Sequence, residues 1–126
     1  MKEKDLKDEF LKSVKKYWWY ETLATEDPEF AEEVAHLLST QSLRERQRGL
    51  SVGTKHLIWL VVECAMKWNP ETIRNHMVTA LDNGYTPQQI LEALEVAVPP
   101  TGFPSFLHGF KVWQEVIKDR EKAETV

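Results

Sequence analysis

Cysteine is almost missing from this 126-residue chain, which carries only Cys64. A lone thiol rules out an intrachain disulfide, a CxxC redox pair and a zinc ribbon, and it fits a reducing compartment. Glycine-, serine- and proline-rich linkers are missing too, so residues 1–126 read as a single domain with one hydrophobic core. No apolar run approaches the roughly 18 residues of a membrane span. Met1 to Lys16 is rich in lysine and acid and has no apolar core of signal-peptide length. The expectation is a cytoplasmic protein with no membrane partner. An excess of positive charge is also lacking: sixteen Lys and Arg stand against twenty Asp and Glu, a formal charge of −4. No global field then attracts phosphate backbones, and nucleic acid is not expected as a partner. What remains, 42% hydrophobic and 29% charged residues, is ordinary globular composition and excludes disordered and fibrous classes.

Helical periodicity runs through the chain. Leu6, Phe10, Val14, Tyr17, Trp18 and Glu21 follow one another at spacings of three and four, predicting one N-terminal amphipathic helix within residues 1–26. Asp27-Pro28 supplies a cap and a first-turn proline for a second helix through Phe30, Val34, Leu37 and Leu38, ending near Ser39 to Gln41. Ser42 to Gly49, with Arg44, Arg46 and Arg48 in alternation, has no apolar face and reads as an exposed connection. From Thr54 to Trp68 the chain is apolar on nearly every side, which marks a central helix that others surround. Asn69-Pro70 starts a fourth helix, stopped by Gly84. Thr86 and Gln89 form a capping box for a fifth. Pro99, Pro100, Gly102 and Pro104 make an elbow before a last helix carrying Phe106, Phe110, Trp113 and Ile117. The fold class is all-α, with about six helices.

Polarity inside the most apolar helix is the informative anomaly, because an unpaired buried charge costs several kcal/mol. Glu63 is that residue. At roughly 100° per residue His56 and Glu63 fall almost in line on one side of the helix, with Trp59 and Leu60 between them. His76 lies at the margin of the stripe formed by Ile73, Met77 and Ala80, where an imidazole that exchanges protons near neutral pH can face an interhelical cleft. The plain alternative is a salt-bridged Glu63 and a packed His76 with no chemistry. His56, Glu63 and His76 match no compact metal motif, so no metal is expected. Cys64 reads as a small packed apolar side chain. The aromatic run Tyr17-Trp18-Trp19-Tyr20 reads as a subunit interface in preference to a ligand pocket.

A family resemblance emerges from Leu50-Ser51 leading into Thr54-Lys55-His56-Leu57-Ile58, then His76 before Ala80-Leu81 and Gly84. It continues through Thr86-Pro87-Gln88-Gln89-Ile90 with Glu92 and through Gly102-Phe103-Pro104, with Asp27-Pro28-Glu29-Phe30 as lead-in. This series resembles the carboxymuconolactone decarboxylase and alkylhydroperoxidase D-like superfamily, and it marks residues 27–118 as the family core and 119–126 as a charged tail. The resemblance implies an alkylhydroperoxidase D-like helical fold and a homo-oligomer, whether dimer, trimer or hexamer. The peroxidase branch carries a glutamate, then a CxxC, then a histidine three residues later. Here Asn69 and Thr72 stand at the cysteine positions, and the glutamate position falls on His56 once one inserted residue is allowed. Neither Asn69 nor Thr72 forms a thiolate, which excludes thiol peroxidase chemistry.

The decarboxylase branch lacks the cysteine pair and is similar to this sequence. It implies a cofactor-free acid–base enzyme of decarboxylase or lyase type acting on a small carboxylated or lactone-like molecule, with His76 as proton donor. Glu71 or Glu63 would orient that imidazole, with His56 beside it. Lys55, or an arginine among Arg44, Arg46, Arg48 and Arg74, would hold a substrate carboxylate, and Trp59 would contact the substrate. The competing reading is a non-catalytic oligomeric scaffold or small-molecule binding protein of the same fold. A helix-turn-helix around Asn83 to Val98 is disfavoured by Glu92 and Glu95 on its would-be recognition helix.

Overall fold

The computed structural model describes residues 3–39 and 48–124, and every regular element among them is helical. The elements are α1 Glu3–Val14, α2 Tyr20–Glu26, α3 Pro28–Leu38, α4 Val52–Ala65, α5 Pro70–Asp82, α6 Pro87–Val96, α7 Val98–Thr101 and α8 Phe103–Glu124. Eight helices among the described residues replace the six expected, for two local reasons. Around Lys15 to Trp19 the single N-terminal helix gives way to tight turns, in which Lys16, Tyr17 and Tyr20 each donate their N–H three residues back. Consecutive aromatics lose side-chain freedom against the preceding helical turn, so this stretch resists continuous helix. At the proline elbow, Pro99 and Pro100 occupy the first turn of a short helix, where their missing N–H groups and fixed φ are tolerated. The actual break is Gly102, at φ 91°.

The described residues fall into two compact units, within Met1–Gln47 and Arg48–Val126. The first contains α1 to α3, with α3 packed against both α1 and α2. The Asp27 carboxylate caps α3 by accepting from the Phe30 N–H at 3.1 Å, and Val14, Ala31 and Ala35 are buried.

In the second unit α4 and α5 pack against one another, α8 packs against both, and α6 lies against α4 and α8. Its core joins Leu60 and Cys64 of α4, Ile73, Met77, Ala80 and Leu81 of α5, Ile90 and Leu94 of α6, and Val112 and Val116 of α8. The starts of α4, α5 and α6 are each capped by a side-chain oxygen that satisfies an otherwise orphaned helix N–H. Ser51 accepts from Thr54 N–H, Asn69 from Glu71 N–H, and Thr86 from Gln89 N–H, while the Gln89 amide oxygen accepts from Thr86 N–H at 2.9 Å. Gly84, at φ 104°, lets the chain leave α5 in a conformation that side-chain-bearing residues rarely adopt.

One expectation is corrected here. The central helix is not surrounded: α4 buries Gly53, His56, Leu60 and Cys64, while Ile58 and Val62 are 49% exposed and Met66 is 65% exposed. Among the described residues of the second unit, the neighbours packed on α4 cover one side only. In the charged tail α8 runs on as exposed helix as far as Glu124.

Candidate acid–base site

The connection between α4 and α5 spans only Met66 to Asn69, so the two helices run antiparallel and residues at similar distances from it face one another. His56 and Glu63 share a side of α4. On α5, buried Ile73, Met77 and Ala80 fix the helix rotation and leave His76 at the edge of the apolar stripe, turned toward α4. The result is a row of three titratable side chains. His76 Nδ1 lies 2.9 Å from His56 Nδ1, and His76 Nε2 lies 3.4 Å from Glu63 Oε1. His56 is 4% exposed, and the Glu63 and His76 side chains are 12% and 14% exposed, so solvent screens these contacts weakly.

The geometry constrains the protons. Two ring nitrogens 2.9 Å apart share one proton, so one of these Nδ1 atoms donates and the other accepts. The Glu63 contact differs in kind. It is close enough for charge attraction but not aligned as a hydrogen bond, and Glu63 Oε1 is buried with no hydrogen-bond donor among the described residues. Burial without compensating donors disfavours the carboxylate form and raises the Glu63 carboxyl from the usual range to about 7. Glu63 therefore exchanges its proton around neutral pH.

Trp59 completes the cluster. Its indole stacks on the His76 ring with centroids 5.0 Å apart and planes 15° from parallel. It also meets His56 at 5.5 Å and 51°. The placement assigned to Trp59 from sequence, against substrate, misses this contact. The antiparallel pairing across the short connection was the available signal for it.

The other candidates stand apart from the row. Glu71 is exposed in the first turn of α5, where its N–H is bonded by the Asn69 cap. Thus the structure sets Glu63, and not Glu71, beside His76. Arg74 is engaged with Asp119 of α8 at 2.5 Å. Lys55 adjoins His56 on α4 and is half-buried, and Arg48 is exposed. Arg44 and Arg46, with the connection from Ser42 to Gln47, lie outside the described residues. His108 serves the fold: its Nε2 donates to the Trp68 carbonyl at 2.7 Å, tying α8 to the end of the α4 segment. Cys64 is packed beneath α8, and burial, reinforced by the Glu63 charge, pushes its thiol up to about 12.

Among the described residues no group of three or more His, Cys, Asp or Glu side chains is arranged to hold a metal ion. No helix among them is long and apolar enough to cross a membrane. No curated protein and no solved structure gives a significant match to the chain. The sequence model of the carboxymuconolactone decarboxylase family matches residues 28–115, a span that includes His56, Trp59, Glu63 and His76. With well over half of its length matched in this way, the chain belongs to the carboxymuconolactone decarboxylase family.

Proposed function

We propose that this protein is a cofactor-free acid–base enzyme of decarboxylase or lyase type, acting on a small carboxylated or lactone-like substrate, with His76 as proton donor. The observation that carries the reading is the placement of the His76 imidazole between His56 at 2.9 Å and Glu63 at 3.4 Å. With Nδ1 committed to His56, the transferable proton sits on Nε2, beside a carboxyl whose proton is lost near pH 7. In the proposed step the bond from the substrate carbon to its carboxylate breaks and carbon dioxide leaves. The electron pair remains on the carbon, conjugated with the unsaturated acid, and the His76 Nε2 proton is transferred to that carbon. The neutral imidazole is recharged through Glu63 from solvent. Lys55 is assigned the substrate carboxylate, since it adjoins His56 on α4. Dithiol peroxidase chemistry needs two thiols, and the chain has one.

The low exposure of the row favours a second reading, a non-catalytic scaffold or binding protein in which the three side chains satisfy one another. A single experiment separates the two. Release of carbon dioxide is measured from carboxymuconolactone and from a panel of unsaturated lactone acids, with wild type and with folded His76→Gln protein. Turnover by wild type that falls at least about a hundredfold in His76→Gln supports the acid role, within the range expected for loss of a general acid. Equal rates in the two proteins sink it.

A further inference from the structure

Trp59 is one turn beyond His56 on α4 and half-buried. Its indole, the His56 ring and the His76 ring form a closed triangle, with centroid separations of 5.5, 5.0 and 5.0 Å. Within that triangle only the Trp59–His76 pair is near parallel, at 15°. The face of His76 is thus covered by an electron-rich ring, and its edges point at His56 and Glu63. A π face attracts a cation lying over it, and tryptophan does so most strongly among the aromatic side chains. Neutral imidazole gains much less from the same contact. In this partly desolvated position the preference is felt more than it would be in water.

We propose that Trp59 is a positioning residue for the acid–base pair: its indole face fixes the His76 ring so that Nδ1 meets His56 and Nε2 meets Glu63, and it favours the protonated imidazolium. The indole then acts on the proton donor from the face, as the Glu63 carboxylate does from the edge. One side of Trp59 is consequently occupied by His76 and is closed to substrate. The catalytic meaning of the contact rests on the acid–base reading above, but its effect on the imidazole belongs to the resting protein and is measured without substrate.

The test weakens the π face without changing its shape. The chain is produced with tryptophan replaced throughout by singly and multiply ring-fluorinated tryptophan, and the histidine rings are titrated by NMR. The expected result is a stepwise fall in the His76 midpoint as fluorines are added, reaching about half a pH unit to one unit, the range that cation–π energies imply. Trp59→Phe supplies the control for the other four tryptophans, because in that protein the fluorine dependence of His76 should vanish. Trp59→Leu, which keeps apolar bulk without a π face, should lower the midpoint by a similar amount or more. If that variant fails to fold, the fluorinated wild-type series decides alone. A His76 midpoint indifferent to fluorination overturns the proposal, and so does a fluorine dependence that persists in Trp59→Phe. A fluorine-dependent titration in a protein without turnover would sink the acid–base reading and leave the Trp59 contact standing. A flat titration with turnover intact would sink the Trp59 role alone.

Discussion

The Nδ1 atoms of His56 and His76 face each other at 2.9 Å across the α4–α5 pair. Since only one of them carries the shared proton, the tautomer of each ring is set by the other. Where His56 donates the shared proton, the N–H of a neutral His76 lies on Nε2, next to Glu63. Carboxylate, imidazole and imidazole therefore form one titrating unit, and a change at one end alters the protonation of the rest.

This coupling is measurable as non-additivity. His76→Ala leaves the buried His56 Nδ1 without that partner, and His56→Ala does the reverse. Each substitution is expected to cost about 1–3 kcal/mol, the usual penalty for orphaning a buried polar group. The double variant should be more stable than the sum of the two losses implies, by about 0.5–3 kcal/mol. Urea denaturation of the four proteins checks this, and strictly additive losses would contradict the shared proton.

Cys64 is expected to be inert while the chain is folded. Burial holds the thiol up to about 12, and the thiolate is the form that reacts with alkylating agents. Iodoacetamide at pH 8 should modify it only after denaturant is added, at the rate of an ordinary thiol. Mass spectrometry of the intact chain reads the outcome, and rapid modification of the native protein would place Cys64 at the surface.

Much of the second unit is legible in the sequence, because its signals are local. Asn69-Pro70, Thr86 with Gln89, and Gly84 each act through the backbone of the turn they sit in, and each does in the structure what its type predicts. Glu63 and His76 stood out for a similar reason: a polar residue on an apolar stripe is visible from periodicity alone. Pairwise geometry was not visible in this way. Glu71 is nearer to His76 in sequence than Glu63 is, yet α5 carries it to an exposed position while the neighbouring helix brings Glu63 in. The run Lys15 to Trp19 kept its three-and-four spacing and still broke into turns, since apolar period records which face is buried and not whether the backbone continues. The exposed face of α4 was misread because an apolar helix looks the same in sequence whichever of its sides the chain covers.

Gly109 is a site where one methyl group matters. A Cβ added there would lie 2.6 Å from Cys64 Sγ and 3.0 Å from Leu94 Cδ2. Alanine gains about 1 kcal/mol of helix propensity over glycine, so the close approach decides the sign only if the overpacking costs more, typically about 1–3 kcal/mol. Gly109→Ala is expected to lower the melting temperature. Adding Cys64→Ala removes the nearest atom and should recover part of the loss, whereas Gly49→Ala, with nothing within 4 Å, should be close to neutral. Equal behaviour of the two alanine variants in calorimetry would show that α8 does not crowd Cys64.

Glu63 gives the protein a pH-dependent stability with a definite sign. Its carboxyl is raised by burial from 4.5 to about 7 in the folded chain, so between those values the folded state holds a proton that the unfolded chain has released. Stability then falls as pH rises through this window, because unfolding binds fewer protons than folding retains. Below about 4.5 the contribution is fully present, and above about 7 it is lost. Glu63→Gln keeps the shape of the neutral acid and removes the titration. The variant should therefore match wild type near pH 4.5, exceed it by a few kcal/mol at most near pH 8, and show a flatter profile between. Chemical denaturation of both proteins across this range is the check. A wild-type advantage that grows with pH would mean that the carboxylate is stabilised by His76 more than burial opposes it. Glu63 would then be an ordinary ion-pair partner, not a carboxyl poised to exchange its proton at neutral pH.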